Sequence, residues 1–207
     1  MNEGYEEILQ SIASSDPTPG GGSVAALSLA HAHSLAIMVS RLTVGKEKWA
    51  DGHEAAESVI SNSHTGLGVA LLLADRDAEA FDNVMAAYRL PRDSEEEKEN
   101  RKNSIRLATI GAAEAPLETA AEALELLSDI EALSSSCNSN ALTDLASAAE
   151  LSHTAVTIAS MNVRINLDFI EGDDVEDLSS RIDEVVKEST GSLDRIRSNV
   201  SKRLGWQ

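Results

Sequence analysis

Residues 17–43, PTPGGGSVAALSLAHAHSLAIMVSRLT, decide the fold. From Ser23 to Thr43, apolar residues fall on nearly every face of a helical wheel. That is the pattern of a helix buried at the centre of an assembly of helices. The same run contains Ser28, His31, His33, Ser34, Ser40 and Arg41, polar enough to argue against a membrane span. Gly20, Gly21 and Gly22 lead straight into this helix. Backbone N–H groups at a helix start, unobstructed by Cβ atoms, suit an anion or a planar ligand. The same glycines also suit close helix packing. No Gly-Lys-Ser/Thr follows them, which excludes a phosphate-binding P-loop. No strand pattern precedes them, which excludes a dinucleotide fingerprint.

Outward from this segment the helical period continues. Tyr5, Ile8, Leu9 and Ile12 form a short amphipathic set. A long helix is expected from about Asp51 to Tyr88, with Phe81, Val84, Met85 and Tyr88 on one stripe. Gly66 and Gly68 within it mark a bend or the close approach of another helix. The break at Leu90-Pro91-Arg92-Asp93 precedes Ser94 and Glu97, a capping box that opens a new helix. Pro116 predicts a kink or break near Ala115. Residues 134–140, SSSCNSN, read as a loop, followed by a helix from about Ala141 to Leu167. Gly172-Asp173-Asp174 separates it from a last helix with Leu178, Ile182, Val185, Ser189, Leu193, Ile196 and Val200 on one seam. That seam fits bundle packing or a dimer contact. The expected fold is all-α: a single multihelical domain over residues 1–207, built around an antiparallel helix bundle.

The chain has 207 residues, with 35 Asp and Glu against 17 Lys and Arg, for a formal charge of −18. That charge argues against nucleic acid and against an anionic membrane surface. It fits a surface adapted to high salt, where self-repulsion is screened. The one cysteine, Cys137, fits a reducing compartment, and the N-terminus shows no signal-peptide pattern, so a cytoplasmic protein is expected.

His31 and His33 stand two apart and point to different sides of a helix, and no HExxH or CxxC is present, so no metal site is expected. Asp77 lies four residues before Phe81 and is placed to face inward, where a carboxylate needs a partner or a function. Asp144 sits in the first turn of its helix, where the helix dipole alone would favour it. Asn162 and Asn166, four apart, share one helix face and can present two amides to one ligand.

These features join in a resemblance. The segments PTPGGGSVAALSLAHAHSLAIMVSRLTVGKEKW, DRDAEAFDNVMAAYRLPRDSEEEKENR, APLETAAEAL, CNSNALTDLASAA and MNVRINL occur in order. They resemble the cyclodeaminase domain of formiminotransferase-cyclodeaminase and the related stand-alone methenyltetrahydrofolate cyclohydrolases. The resemblance implies a helical homodimer acting on a tetrahydrofolate derivative with no further cofactor. The reaction would be cyclodeamination of 5-formiminotetrahydrofolate or, alternatively, hydrolysis of 5,10-methenyltetrahydrofolate. It implies catalytic roles for Asp144 and Asp77, with Asp144 favoured because its loop offers access. Gly20, Gly21, Gly22, Ser23, Lys46, Arg89, Asn138, Asn162 and Asn166 match motif positions implied to bind substrate. Lys46 and Arg89 would hold the glutamate tail of folate, or Arg89 would anchor its loop. Cys137 replaces a common Gly, and Arg164 stands where an apolar residue is usual. No formiminotransferase segment is visible, so such a partner would be a separate protein. A non-catalytic folate-binding or interaction module is the reading from another class.

Overall fold

The hydrophobic period is satisfied by six helices, and a computed structural model describes residue 2 and residues 4–206. Helix α1 spans Tyr5–Ile12, α2 Gly21–Thr43, α3 His53–Tyr88, α4 Glu95–Ser134, α5 Leu142–Leu167 and α6 Asp173–Leu204. A 3-10 turn at Glu47–Gly52 joins α2 to α3, and another at Ser139–Ala141 leads into α5. There is no β-strand among the described residues. Helices α2 to α5 form a four-helix ring in which each packs on its chain neighbours and α5 closes back on α2. Short connections force neighbouring helices to run antiparallel. The start of α2 meets the end of α5, where a Cβ on Gly21 would lie 3.6 Å from Asn162 Nδ2. At the opposite end, Asn138 Nδ2 donates to Leu42 O at 3.0 Å.

Helix α6 lies across α4 and α5 as a fifth member. Leu178, Ile182, Ser189, Leu193, Ile196 and Val200 of its seam are buried there. The seam is therefore used within the chain. Arg203 of α6 donates to Ser134 O and to Cys137 O, closing the loop before α5. Helix α1 buries no residue and lies against the outer face of α2, with Tyr5 Oη 3.2 Å from His31 Nε2.

The core is built of small side chains. Ala25, Ala32, Ala36, Ala113, Ala120, Ala148 and Ala159 are fully inaccessible, interleaved with Leu29, Leu127, Ile130, Leu145 and Val163. Among the described residues no Phe, Tyr or Trp is buried. Alanine-lined seams let helix axes approach to the short end of the usual 8–10 Å range. Helix α2 is long and apolar enough, by composition, to cross a membrane. Here it is the central helix, and α3 and α5 cover its apolar surface.

The expected break near Ala115 does not occur, since α4 runs unbroken through Pro116. Proline has no N–H to give to the carbonyl four residues earlier, Ala112 O. Asn166 Nδ2 of α5 donates to that carbonyl instead, at 2.8 Å. A side chain from the neighbouring helix replaces the missing backbone bond, and the helix continues. The capping box forms as expected, with Glu97 N donating to Ser94 Oγ at 3.2 Å and Ser94 N donating to Glu97 Oε2 at 2.9 Å.

Candidate active site

Gly20 caps the start of α2 in an extended conformation, so the chain arrives from Pro17–Pro19 across the end of the bundle. The Thr18–Pro19 peptide in this approach is cis. Beside it opens a cleft of about 260 Å3, lined by Pro17, Thr18 and Gly20–Gly22, by Asp77, Phe81 and Val84 of α3, by Ala112 of α4, and by Asn162 and Asn166 of α5. Four helices thus contribute to one small cavity at the glycine-rich end.

Asp77 lies across the first turn of α2. A Cβ at residue 22 would overlap its carboxylate, so Gly22 is what lets the carboxylate reach the backbone there. Ser23 Oγ, only 1 % exposed, donates to Asp77 Oδ2 at 3.1 Å. Burial pushes the Asp77 carboxyl above the usual carboxylate range, and the Ser23 hydroxyl and backbone amide act against that shift. The result is a carboxyl held at one place by Ser23, more readily protonated than a surface aspartate.

The two asparagines point their amide nitrogens at backbone. Asn162 Nδ2 donates to Ile158 O at 2.9 Å, and Asn166 Nδ2 donates to Ala112 O and to Asn162 O at 2.8 and 2.9 Å. Their Oδ1 atoms remain as acceptors on residues that line the cleft. The lining contains no Lys or Arg. Asp77 and the two amide oxygens therefore present acceptors and negative charge, suited to a ligand rich in N–H groups or carrying positive charge. Among the described residues no group of three or more His, Cys, Asp or Glu is placed to hold a metal ion.

Of the residues singled out in the sequence, Gly20, Gly21, Gly22, Asp77, Asn162 and Asn166 come together here. Ser23 stands behind Asp77 rather than in the cleft. Asp144 does not join them, because it lies 18 positions before Asn162 on α5, about 27 Å along the axis. Within one chain, burial and a converging cleft single out Asp77, and Asp144 lies apart from it. Lys46 is exposed beyond the far end of α2, about 33 Å along that helix from Gly21. Asn138 is at that far end too and is a structural joint: its amide donates to Leu42 O and its backbone N–H to Thr43 Oγ1 at 3.0 Å, while Oδ1 caps Asn140 N. Arg89 is an exposed residue at the C-terminus of α3. The loop there is anchored by Arg101 instead, which donates to Tyr88 O and stacks on the Tyr88 ring at 5.5 Å. Arg164 pairs with Asp183 of α6 at 2.8 Å and is a surface tie. The sequence reading missed Thr18, Phe81 and Val84 as lining residues. The stripe of Phe81, Val84 and Met85 was its signal, since the stripe faces cleft and solvent rather than core, with Phe81 and Met85 each 37 % exposed.

Known proteins share this sequence and fold. The chain is 37% identical over 167 residues to a methenyltetrahydrofolate cyclohydrolase of Methylorubrum extorquens, covering 80% of this chain and 79% of that protein. It is 31% identical over 167 residues to the formimidoyltransferase-cyclodeaminase of Rattus norvegicus, covering 81% of this chain and 31% of that longer protein. The crystal structure of formiminotetrahydrofolate cyclodeaminase from Thermotoga maritima superposes with a TM-score of 0.80 at 28% identity, over 97% of this chain and 94% of that one. The sequence model of the formiminotransferase-cyclodeaminase family matches residues 4–184. The chain belongs to the formiminotransferase-cyclodeaminase family.

Proposed function

We propose that this chain is a folate-dependent one-carbon enzyme working at the carbon between N5 and N10 of tetrahydrofolate, with Asp77 as its proton shuttle. The observation that carries this is the cleft itself: one buried carboxyl of raised pKa, two amide acceptors and no cation. Formiminotetrahydrofolate enters as an amidinium and methenyltetrahydrofolate is a cation, so a carboxylate stabilises either bound species. In cyclodeamination, N10 adds to the formimino carbon and loses its proton to Asp77. Asp77 returns that proton to the amino group, which departs as ammonia and leaves the methenyl cation. The near-complete match to the Thermotoga maritima cyclodeaminase supports this reading.

The second reading is cyclohydrolase, favoured by the 37% identity to the Methylorubrum extorquens enzyme. There Asp77 takes a proton from water as it adds to the methenyl carbon. It then protonates N5 as the C–N5 bond breaks, and the remaining hydroxyl proton passes to solvent, giving 10-formyltetrahydrofolate. One carboxyl serves both reactions because each needs one proton carried from the nucleophile to the departing nitrogen.

The proposal includes a cytoplasmic homodimer that needs no cofactor beyond its folate substrate, with substrate taken from solution or from a separate formiminotransferase. A second copy set antiparallel would bring Lys46 and Asp144 toward the Asp77 cleft, which one chain leaves without a cation for the folate carboxylates. The deciding experiment is a paired assay in molar KCl. Ammonia release with rising methenyl absorbance from 5-formiminotetrahydrofolate is expected of a cyclodeaminase. Loss of methenyl absorbance above the spontaneous rate, with no ammonia formed in the other arm, makes it a cyclohydrolase. Folded protein silent in both arms overturns the proposal.

A further inference from the structure

Pro116 stands inside α4, about five turns from either end, where it supplies neither a cap nor a turn. It is buried, and the helix continues through it. A proline at such a place removes one backbone hydrogen bond and crowds the carbonyl four residues back, here Ala112 O. Ala112 lines the Asp77 cleft, so the carbonyl that the proline releases belongs to the edge of that cleft. Its donor is Asn166 Nδ2, at 2.8 Å, from another lining residue. The same Nδ2 donates to Asn162 O at 2.9 Å. Both acceptors are carbonyls, and a carbonyl can be met only by the NH2 side of an amide. Both N–H groups of Asn166 are thus engaged with backbone, and the amide cannot turn round. Asn166 Oδ1 has no partner among the described residues and is not one of their buried unpartnered atoms, so it is open to the cleft.

An amide free to turn can offer a ligand either NH2 or oxygen. Which of the two it offers decides what the site accepts. An NH2 group set against a cation or a ligand N–H replaces a hydrogen bond with a repulsion, and an unmet polar group costs more than a missing contact. The neighbouring amide is held less firmly. Asn162 Nδ2 bonds Ile158 O, the carbonyl one turn back in its own helix, which already has a backbone donor. Ala112 O has no such donor, because residue 116 has no N–H. The proline on α4 therefore creates an acceptor that needs the amide on α5.

We propose that Pro116 is a positioning residue of the cleft: by releasing Ala112 O it fixes Asn166 with Oδ1 toward the ligand, and so selects cationic or N–H-bearing ligands against anionic ones. The identity of that ligand rests on the folate reading above; the fixing of the amide does not. The test is Pro116→Ala, which returns an N–H to position 116 and lets Ala112 O bond within its own helix. Pro116→Val supplies the same N–H with more of the lost volume, and replaces it should the alanine variant not fold. The side-chain amide protons of Asn166, assigned by their absence from NMR spectra of Asn166→Ala, should exchange slowly in the native chain and severalfold faster in Pro116→Ala. With whichever folate substrate the native protein turns over, Pro116→Ala should raise KM about three- to tenfold, the effect falling on KM rather than kcat. In an Asn166→Ala background the same change should alter KM by less than about twofold, because the group it acts through is gone. Equal effects on KM in both backgrounds would show that the proline acts by packing alone, and overturn the proposal. Amide exchange unchanged in Pro116→Ala would overturn it too, whatever the kinetics. A native protein silent toward both folates, whose Asn166 amide is still freed in Pro116→Ala, would sink the folate reading and leave the fixed acceptor standing.

Discussion

Gly22 on α2 receives the Asp77 carboxylate from α3, and Gly66 on α3 receives the His33 ring from α2. The two contacts mirror each other across one helix pair, about 16 Å apart along α2. In each, an absent Cβ lets a titratable side chain lie on the neighbouring backbone, and burial disfavours its charged form. They differ in partners. Asp77 has the Ser23 hydroxyl and opens on a cleft, whereas His33 has no partner among the described residues. The first is a group whose proton can be gained and lost where a ligand fits. The second is held neutral at a cost to the fold.

The largest expected effect breaks the first contact. Asp77→Asn keeps the shape and an oxygen for Ser23 but removes the proton shuttle, so kcat should fall about 10²–10⁴-fold. Stability should move the other way. A carboxyl whose folded pKa is raised contributes stability below its unfolded pKa, and this is lost as pH rises through the folded value. At pH 7 the ionised Asp77 therefore weakens the fold, and Asp77→Asn should melt at the same temperature or higher. Steady-state rates and thermal melts on the same preparation check both statements. Near-normal turnover in the folded variant would remove Asp77 from the chemistry.

The second contact is tested by acid. His33 is lowered to about 4 in the folded chain, while an unfolded histidine titrates near its ordinary value of 6.5. Stability from this group is complete above the unfolded pKa and is lost as pH falls toward the folded one. Between pH 7 and pH 5 the loss assigned to His33 is about 2 kcal/mol. His33→Leu should lack that portion, since the carboxylates beside it, Glu122, Glu125 and Asp129, are present in both proteins. Urea unfolding of both proteins at pH 7 and pH 5 gives the difference directly. Equal losses would show that the imidazole is protonated in the folded state as easily as in water.

The same contrast shows what the sequence could reveal. Helix periods placed the six α-helices, though not the 3-10 turns between them, because burial of an apolar face is a local pattern, and the cap at Ser94–Glu97 is a local hydrogen bond. That Asp77 shares a face with Phe81 was legible because a four-residue spacing is local, although that face lines the cleft rather than the core. What could not be read was pairing between helices. Pro116 signalled a kink or a break, yet the helix continues, and Asn166, 50 residues later, supplies the missing donor. Gly66 signalled either a bend or a close approach, and only the location of His33 decides for the approach. Motif order likewise suggested one site, while the bundle separates Lys46, Asn138 and Asp144 from Asp77 by its full length.

The smallest expected effect lies with Ser23, which the motif assigned to substrate and the fold assigns to Asp77. The hydroxyl is 1 % exposed and its hydrogen bond ends on the carboxylate, so its influence must pass through Asp77. Its donor favours the ionised form, and Ser23→Ala should raise the Asp77 pKa further. The acidic limb of the kcat/KM profile should then move to higher pH, while the rate on the plateau falls by less than about tenfold. Ser23→Thr, which keeps the hydroxyl, should restore the limb. A simple loss of packing would lower the rate at every pH and leave the limb in place. An unmoved limb in Ser23→Ala would mean that the space at Gly22 and the backbone amide of residue 23 seat the carboxylate, and that the hydroxyl adds nothing to its acidity.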